Sequence, residues 1–104
     1  METTNTFPYV IVRTVSAGVF AGEITKKEMT ASGTFCVALQ NSRRLWKWEG
    51  AASLSQLAQS GTTKPEKCLF PEEVLFEELP QVIEILYVSV KARESIKKVP
   101  IWKI

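Results

Sequence analysis

The sequence predicts an α+β fold in which an antiparallel β-sheet packs with two short helices. Two observations indicate this class. The first half of the chain contains four segments in which side chains alternate between apolar and polar, separated by short turns, which is typical of a four-stranded meander. The second half contains two short segments with helical spacing and one or two further strands.

The first four strands follow directly from this alternation. A short turn at Ser16-Ala17-Gly18 can join the first and second strands as a hairpin, and residues 40–42 can join the third and fourth in the same way. Residues 26–33 are polar and end in Ser32-Gly33, so they predict a break between the two pairs. The predicted strands occupy residues 7–15, 19–25, 34–39 and 43–49.

Each predicted helix begins at a serine. Ser53 and Gln56 have the spacing of a capping box, and Gly61 suits the far end of the same helix. Ser89 can cap a second helix, which Pro100 stops. The predicted helices occupy residues 53–60 and 90–99. The later strands occupy residues 72–78, where a helix is the alternative, and residues 82–88.

The length of 104 residues indicates a single domain over residues 7–104, and we expect the polar residues 1–6 to be disordered or loosely held. Residues 1–6 lack the basic and apolar regions of a secretory signal, and no apolar run approaches the roughly 18 residues of a membrane span. A net charge of +2 is small for a protein that relies on the phosphates of long nucleic acids. We therefore expect a cytoplasmic protein with no membrane and no long nucleic acid as partner.

The lack of histidine removes the most common general base and metal ligand. The two cysteines, Cys36 and Cys68, make at most half a zinc site, and we expect both to be reduced and buried. No pair of carboxylates has a spacing that suggests acid–base catalysis. We therefore expect a protein that is not an enzyme, with no catalytic residues, metal site or cofactor.

The densest group of candidate binding residues lies in the predicted strand at residues 43–49. Alternation places Arg44, Trp46 and Trp48 on one face, where they can form an aromatic surface with a cation beside it. A base stacked on such a ring contributes about 1–3 kcal/mol. The alternative is that the tryptophans are core residues and Arg44 lies near the sheet edge. Arg43 faces the other side, either as a ligand contact or as a solvated surface charge.

Four further positions are candidates for ligand contacts. Arg93 and Lys97 lie one helical turn apart, Arg93 has no acidic residue three or four positions away, and Glu94 is placed to offset Lys98, so the two cations suit a diphosphate; the alternative is an ordinary solvated basic face. Arg13 lies among apolar residues and needs a partner, which is either a glutamate from a neighbouring strand or a ligand. Phe70 precedes Pro71 in a loop and either stacks on a base or packs in the core.

The sequence also indicates self-association. Residues 72–78 contain four glutamates, whereas basic side chains cluster elsewhere, and the C-terminal segment is rich in isoleucine and includes Trp102. Opposite charges on different parts of the surface can bring copies of the chain together. We therefore expect a homo-oligomer.

Four sequence segments resemble a family of small phage-encoded proteins of unknown function. They are VIVRT at residues 10–14, RRLW at 43–46, SLSQLA at 53–58 and VPIWK at 99–103, and they span nearly the whole chain. The chain is also similar to the phage anti-Thoeris sponges, which sequester cyclic ADP-ribose isomers made by bacterial TIR proteins. Some of these sponges hold cyclic oligonucleotides in separate sites. They are oligomers whose pockets use arginines and aromatic residues between protomers.

This resemblance implies which positions contact the ligand. Two departures put the affinity and the ligand choice in question: Lys97 stands where a second arginine would hold phosphate better, and the loop at residues 26–33 is longer than expected. Trp48 is the alternative to Phe70 as the stacking ring. The implied contacts come from Arg13, Arg43 or Arg44, Phe70, Arg93 and Lys97.

We therefore expect a phage anti-defence protein in the cytoplasm of the infected bacterium. It would bind and sequester a cyclic ADP-ribose isomer or a cyclic oligonucleotide without cleaving it. The alternative is a protein-binding module that directly inhibits a host protein through the acidic strand and the segment around Trp102. The sequence leaves open which nucleotide is bound, how many copies assemble and which host pathway is affected.

Overall fold

Four strands and two helices make up the described part of the chain. The computed structural model describes residues 7–103. In order, its elements are β1 (Tyr9–Thr14), β2 (Val19–Met29), β3 (Phe35–Arg44), α1 (Leu54–Ser60), a 3₁₀ turn (Pro65–Lys67), β4 (Val74–Tyr87) and α2 (Val90–Lys98). All strand pairs are antiparallel, and β4 returns to β1 so that the sheet closes into a barrel. The predicted α+β class, with an antiparallel sheet and two short helices, is confirmed.

β4 closes the barrel because it pairs with two different strands. Residues from Val74 to Val82 pair with β3, and residues from Val82 to Tyr87 pair with β1. Between these halves, Pro80 has no backbone N–H, and Gln81 adopts a positive φ of 57°. The strand therefore bends without ending. The two strands predicted at residues 72–78 and 82–88 are one bent strand.

β2 and β3 form a long hairpin across the segment where the sequence predicts a break. β2 continues to Met29, and the turn lies at residues 30–34, where Gly33 has a φ of 90°. The polar side chains of residues 26–28 do not end the strand because they are exposed to solvent. The predicted break across residues 26–33 is therefore wrong, although the turn at Ser32-Gly33 is confirmed.

β3 is continuous at residues 40–42, where the sequence predicts a hairpin turn. Between the same two pairing positions, β3 advances by three residues, from Gln40 to Arg43, whereas β2 advances by two, from Glu23 to Ala21. β3 therefore has one extra residue here, and Asn41 has a φ of 53°. This irregularity is a β-bulge, which bends a strand without reversing it. The chain leaves the sheet after Arg44, so the strand predicted at residues 43–49 does not form.

Both faces of β1 are buried, which produces two hydrophobic cores. The inner face packs inside the barrel with Phe20, Ile24, Val37, Leu39, Leu79 and Val82, and the outer face packs under the helices with Leu45, Leu57, Ala58, Phe70, Ile96 and Val99. Val10 and Val12 point inwards, and Tyr9 and Ile11 point outwards. β1 therefore fixes the position of α2, which carries two of the predicted ligand residues.

Both helices begin as predicted. The Ser53 Oγ accepts a hydrogen bond from the Gln56 N–H at 3.3 Å, and the Gln56 Oε1 accepts one from the Ala52 N–H at 2.7 Å. The serine half of the capping box is therefore confirmed, whereas the Gln56 side chain accepts from Ala52, one residue before the Ser53 cap. At the start of α2, the Ser89 Oγ accepts a hydrogen bond from the Ala92 N–H at 3.0 Å and donates one to a backbone carbonyl of α1 at 2.7 Å. The beginning of α2 is thus tied to the end of α1.

The prediction for residues 1–6 lies outside the described residues. Both cysteines are free, as expected, but Cys36 is only half-buried, whereas Cys68 is buried. Within residues 7–103, no helix combines the length and the apolar character that a membrane crossing requires.

Candidate functional site

Five side chains of α2 line a groove with a volume of about 380 Å³. Their spacing of three, four, seven and eight residues places them on one face of the helix, because an α-helix repeats every 3.6 residues. The neighbouring face of α2 is held against the barrel by the buried Ala92 and Ile96. The lining residues are Val90, Arg93, Glu94, Lys97 and Lys98.

Arg93 crosses from α2 to the barrel. Its Nη2 lies 2.9 Å from the Glu23 Oε2 on β2, and its guanidinium carbon lies 5.2 Å from the centre of the Tyr9 ring. The Glu23 side chain is mostly buried in this pair. Arg93 is therefore held in place by an ion pair and an aromatic face together.

Lys97 lies one turn further along α2 above the same ring. Its Nζ is 5.6 Å from the centre of the Tyr9 ring and 3.4 Å from the Glu73 Oε2, in the segment before β4. The expectation of two unpaired cations, which was drawn from the spacing of acids along the helix, is therefore wrong. Their partners come from other elements of the fold, and spacing along the helix cannot reveal them.

Tyr9 lies beneath both cations and is buried. Its hydroxyl has no hydrogen-bond partner among the described residues. Burial, with the Glu73 carboxylate acting in the same direction, raises the pKa of Tyr9 to about 12. The phenol therefore stays neutral at physiological pH and is not prepared to act as a base.

Replacing Tyr9 with phenylalanine is expected to leave stability unchanged or to raise it by about 1 kcal/mol. A buried hydroxyl without a partner costs free energy, and the substitution removes that group while keeping the ring under Arg93 and Lys97. Urea denaturation measures the change, with Tyr87→Phe, at an exposed tyrosine, as the matched control. A loss of more than 1 kcal/mol for Tyr9→Phe alone would contradict an unpartnered hydroxyl.

Arg43 is buried and lies away from the groove. Its guanidinium donates hydrogen bonds to five backbone carbonyls, at distances of 2.7–3.0 Å, and its central carbon is 5.4 Å from the centre of the Phe70 ring. Burial lowers the pKa of Arg43 from its ordinary value. The carbonyls belong to Phe70, Pro71, Ile96, Val99 and Pro100. Neither sequence interpretation, a ligand contact or a solvated charge, describes this arrangement.

Arg13 and Arg44 lie in separate places on the barrel. The Arg13 Nε is 2.9 Å from the Glu84 Oε1, directly across the β1–β4 pair, so its partner is the glutamate of a neighbouring strand. The Arg44 Nη1 donates to the Ala17 carbonyl at 2.6 Å, and its guanidinium carbon lies 4.4 Å from the centre of the Phe20 ring. Arg44 therefore stabilises the turn between β1 and β2.

The predicted aromatic surface does not form. Trp46 is 64 % exposed, whereas Trp48 is half-buried and packs against the outer core. Phe70 is fully buried, so it packs in the core and offers no face for stacking. Of the seven predicted site residues, the structure brings only Arg93 and Lys97 together at the groove.

Comparison with known proteins gives a family but no activity. Residues 7–96 match a family described as a domain of unknown function, DUF6948. The chain belongs to this family. The predicted membership of a family of unknown function is confirmed, and the DUF6948 match gives no link to the anti-Thoeris sponges. No curated protein and no solved structure matches the chain.

The DUF6948 match covers the barrel, α1 and most of α2. It ends at Ile96, so it includes Arg93 but not Lys97 or Lys98. The groove therefore combines side chains inside and outside the matched range.

Several residues around the groove were not predicted. Val90, Glu94 and Lys98 share the helical spacing of Arg93 and Lys97, so a helical projection of α2 would have revealed them. The contributions of β1, β2 and the segment before β4 had no comparable signal, because these residues are distant in sequence. They are Tyr9, Glu23 and Glu73.

Proposed function

We propose that this DUF6948 protein binds a small phosphate-bearing ligand in the α2 groove and holds it without converting it. One observation carries the proposal: Arg93, Lys97 and Lys98 line a single groove of about 380 Å³. This volume lies within the range of roughly 300–1,000 Å³ that small-molecule sites occupy. Among the lining side chains three cations outnumber the carboxylate of Glu94, and although Arg93 and Lys97 also pair with Glu23 and Glu73, Lys98 and a Lys97 released from Glu73 can attract an anion.

The types of side chain in the groove suit a phosphate. A guanidinium presents a planar pair of donors to phosphate oxygens, and a lysine ammonium adds a mobile point charge. Val90 is exposed and gives the groove an apolar wall. Such a wall can contact a base or a ribose while the cations contact the phosphates.

The ion pair of Lys97 with Glu73 can give way to a ligand. The two side chains are 35 % and 39 % exposed and 3.4 Å apart, and surface pairs of this kind contribute only about 0–1 kcal/mol. Arg93 is held more firmly, because its partner Glu23 is mostly buried. The proposed site therefore has one fixed cation and two mobile ones.

The resemblance to phage anti-Thoeris sponges suggests the class of ligand and the biological role. The ligand would be a cyclic ADP-ribose isomer or a cyclic oligonucleotide, and the protein would silence a defence system in the cytoplasm of the infected host. This part of the proposal rests on the resemblance. The groove alone supports the coarser statement of an anionic ligand.

Thermal-shift titration with a cyclic ADP-ribose isomer and with a cyclic dinucleotide tests the proposal. A bound ligand at 100 times its Kd adds about 2.7 kcal/mol to the free energy of unfolding, which raises the Tm. Heating the complex should then release the nucleotide intact, as chromatography can show. Recovery of a cleaved product would contradict simple sequestration.

Charge reversal at Lys98 gives the matched test of the site. Lys98→Glu is expected to weaken nucleotide binding about tenfold or more, because a charge-assisted contact contributes about 1.5–3 kcal/mol. Lys91→Glu makes the same charge change on the same helix but outside the groove, and it should bind like the parent. Equal losses in both variants, or no Tm change with either nucleotide, would overturn the α2 site.

Exposed apolar side chains support a second candidate, a protein-binding module that directly inhibits a host protein. Val74, Leu75 and Phe76 are exposed at the start of β4, and Ile101 and Trp102 are exposed after α2. A partner protein would cover such side chains. In that case neither nucleotide would change the Tm, whereas Leu75→Glu would abolish inhibition of the host target.

A further inference from the structure

The first half of β4 has an open edge. Among the described residues, Val74 to Leu79 pair with β3 on one side, whereas β1 lies beside β4 only from Val82 to Tyr87. The backbone N–H and C=O groups that point away from β3 are therefore available to another strand. Leu75, within this segment, is 79 % exposed.

The second half of β2 has an open edge of the opposite charge. Within residues 7–103, β1 lies beside only the first five residues of β2, and residues 26–29 pair with β3 alone. Lys26 and Lys27 are exposed, and Met29 is 69 % exposed. This basic edge and the β4 edge, which carries Glu77 and Glu78, have complementary charges.

We propose that a second copy of the chain adds its β2 edge, in antiparallel orientation, to the open edge of β4. Strand addition supplies main-chain hydrogen bonds, and the side chains on alternate positions select the partner. Pairing β4 with β4 is less favourable, because it would bring together the glutamates of residues 72–78 from both copies.

One register matches the side chains of the two edges. It places two acidic residues opposite two basic ones, and it places the most exposed apolar side chains opposite each other. Such opposite pairs stabilise an antiparallel sheet. The register pairs Glu78 with Lys26, Glu77 with Lys27, Phe76 with Glu28 and Leu75 with Met29.

The assembly follows from the difference between the two edges. Each copy contributes one edge of each kind, so the contact is heterologous and either closes into a ring or continues as an open chain. This inference goes beyond the anion site on α2 and does not depend on it, because no residue of the groove lies on either edge.

Charge reversal across the interface tests the proposal with the full chain, using size-exclusion chromatography with light scattering. Lys26→Glu and Glu78→Lys alone are each expected to weaken self-association about tenfold or more, because each places like charges opposite one another. An equimolar mixture of the two variants should restore assembly, since alternating copies then present opposite charges at every contact. Circular dichroism verifies that each exposed substitution leaves the fold intact.

Matched controls separate the edges from the rest of the surface. Lys91→Glu and Glu94→Lys reverse exposed charges on α2 and should assemble like the parent. Leu75→Glu should prevent assembly, whereas Val90→Glu, at a similarly exposed apolar residue, should not. High salt should weaken association because it screens the ion pairs.

Three results would overturn the proposal. They are a parent protein that stays monomeric, a Lys26→Glu variant that assembles like the parent, and a mixture of the two reversed variants that fails to assemble. If Lys26→Glu assembles like the parent but Leu75→Glu does not assemble, the β4 edge binds something other than the β2 edge of a second copy.

Discussion

Replacing Arg43 with methionine is expected to lower the free energy of unfolding by about 3–5 kcal/mol. The substitution removes all five guanidinium hydrogen bonds to backbone carbonyls, and three of these bonds are fully buried. Each buried acceptor left without a donor costs about 1–3 kcal/mol. The carbonyls of Ile96 and Val99 also lie at the C-terminal end of α2, where a positive charge is favourable.

Urea denaturation with linear extrapolation measures this loss. Arg44→Met is the matched control, because within residues 7–103 the neighbouring arginine donates to one carbonyl, that of Ala17, at a partly exposed site. It should cost only about 1 kcal/mol. If both variants lose the same small amount, Arg43 does not hold the end of α2 to the barrel.

Arg43 and Arg44 show what alternation along a strand can predict and what it cannot. Alternation indicates that Arg43 and Arg44 point to opposite sides, and the structure agrees, since Arg43 contacts Phe70 of the outer core and Arg44 contacts Phe20 of the inner core. Alternation does not indicate what each side contacts. The carbonyls around Arg43 come from residues more than 25 positions away in sequence, so no local pattern reveals them.

Elements defined by local hydrogen bonds were predicted well. The caps at Ser53 and Ser89 depend on backbone groups within three or four residues, so their sequence spacing is sufficient. Polar or proline-containing segments within strands were harder to predict. Asn41 and Gln81 both adopt a positive φ, and the same residues that suit a turn also suit a bulge or a bend.

Closure of the barrel and assembly of the groove depend on distant contacts. β1 and β4 pair although the paired residues Val10 and Tyr87 are 77 positions apart in sequence. Arg93 likewise meets Glu23 across the helix–barrel contact. The sequence identified Arg93 and Lys97 as neighbouring cations, but only the fold supplies the aromatic ring beneath them and the acids that hold them.

Replacing Gly61 with alanine is expected to lower the free energy of unfolding by about 2–4 kcal/mol. Gly61 ends α1 with a φ of 78°, which L-residues adopt only with strain. A Cβ at this position would also overlap the Cβ and Oγ of Ser95 on α2. The two helices approach closely at this point, so the added methyl group must push α2 away from α1.

Gly33→Ala separates the two causes, because Gly33 has a similar φ of 90° but a Cβ there would meet open space. It should cost only the backbone strain, about 1 kcal/mol. Removing the obstructing side chain with Ser95→Gly should make Gly61→Ala less damaging than in the parent, and a double-mutant cycle measures this coupling. Equal losses at Gly61 and Gly33, with no coupling to Ser95, would mean that α1 and α2 are not in close contact at Gly61.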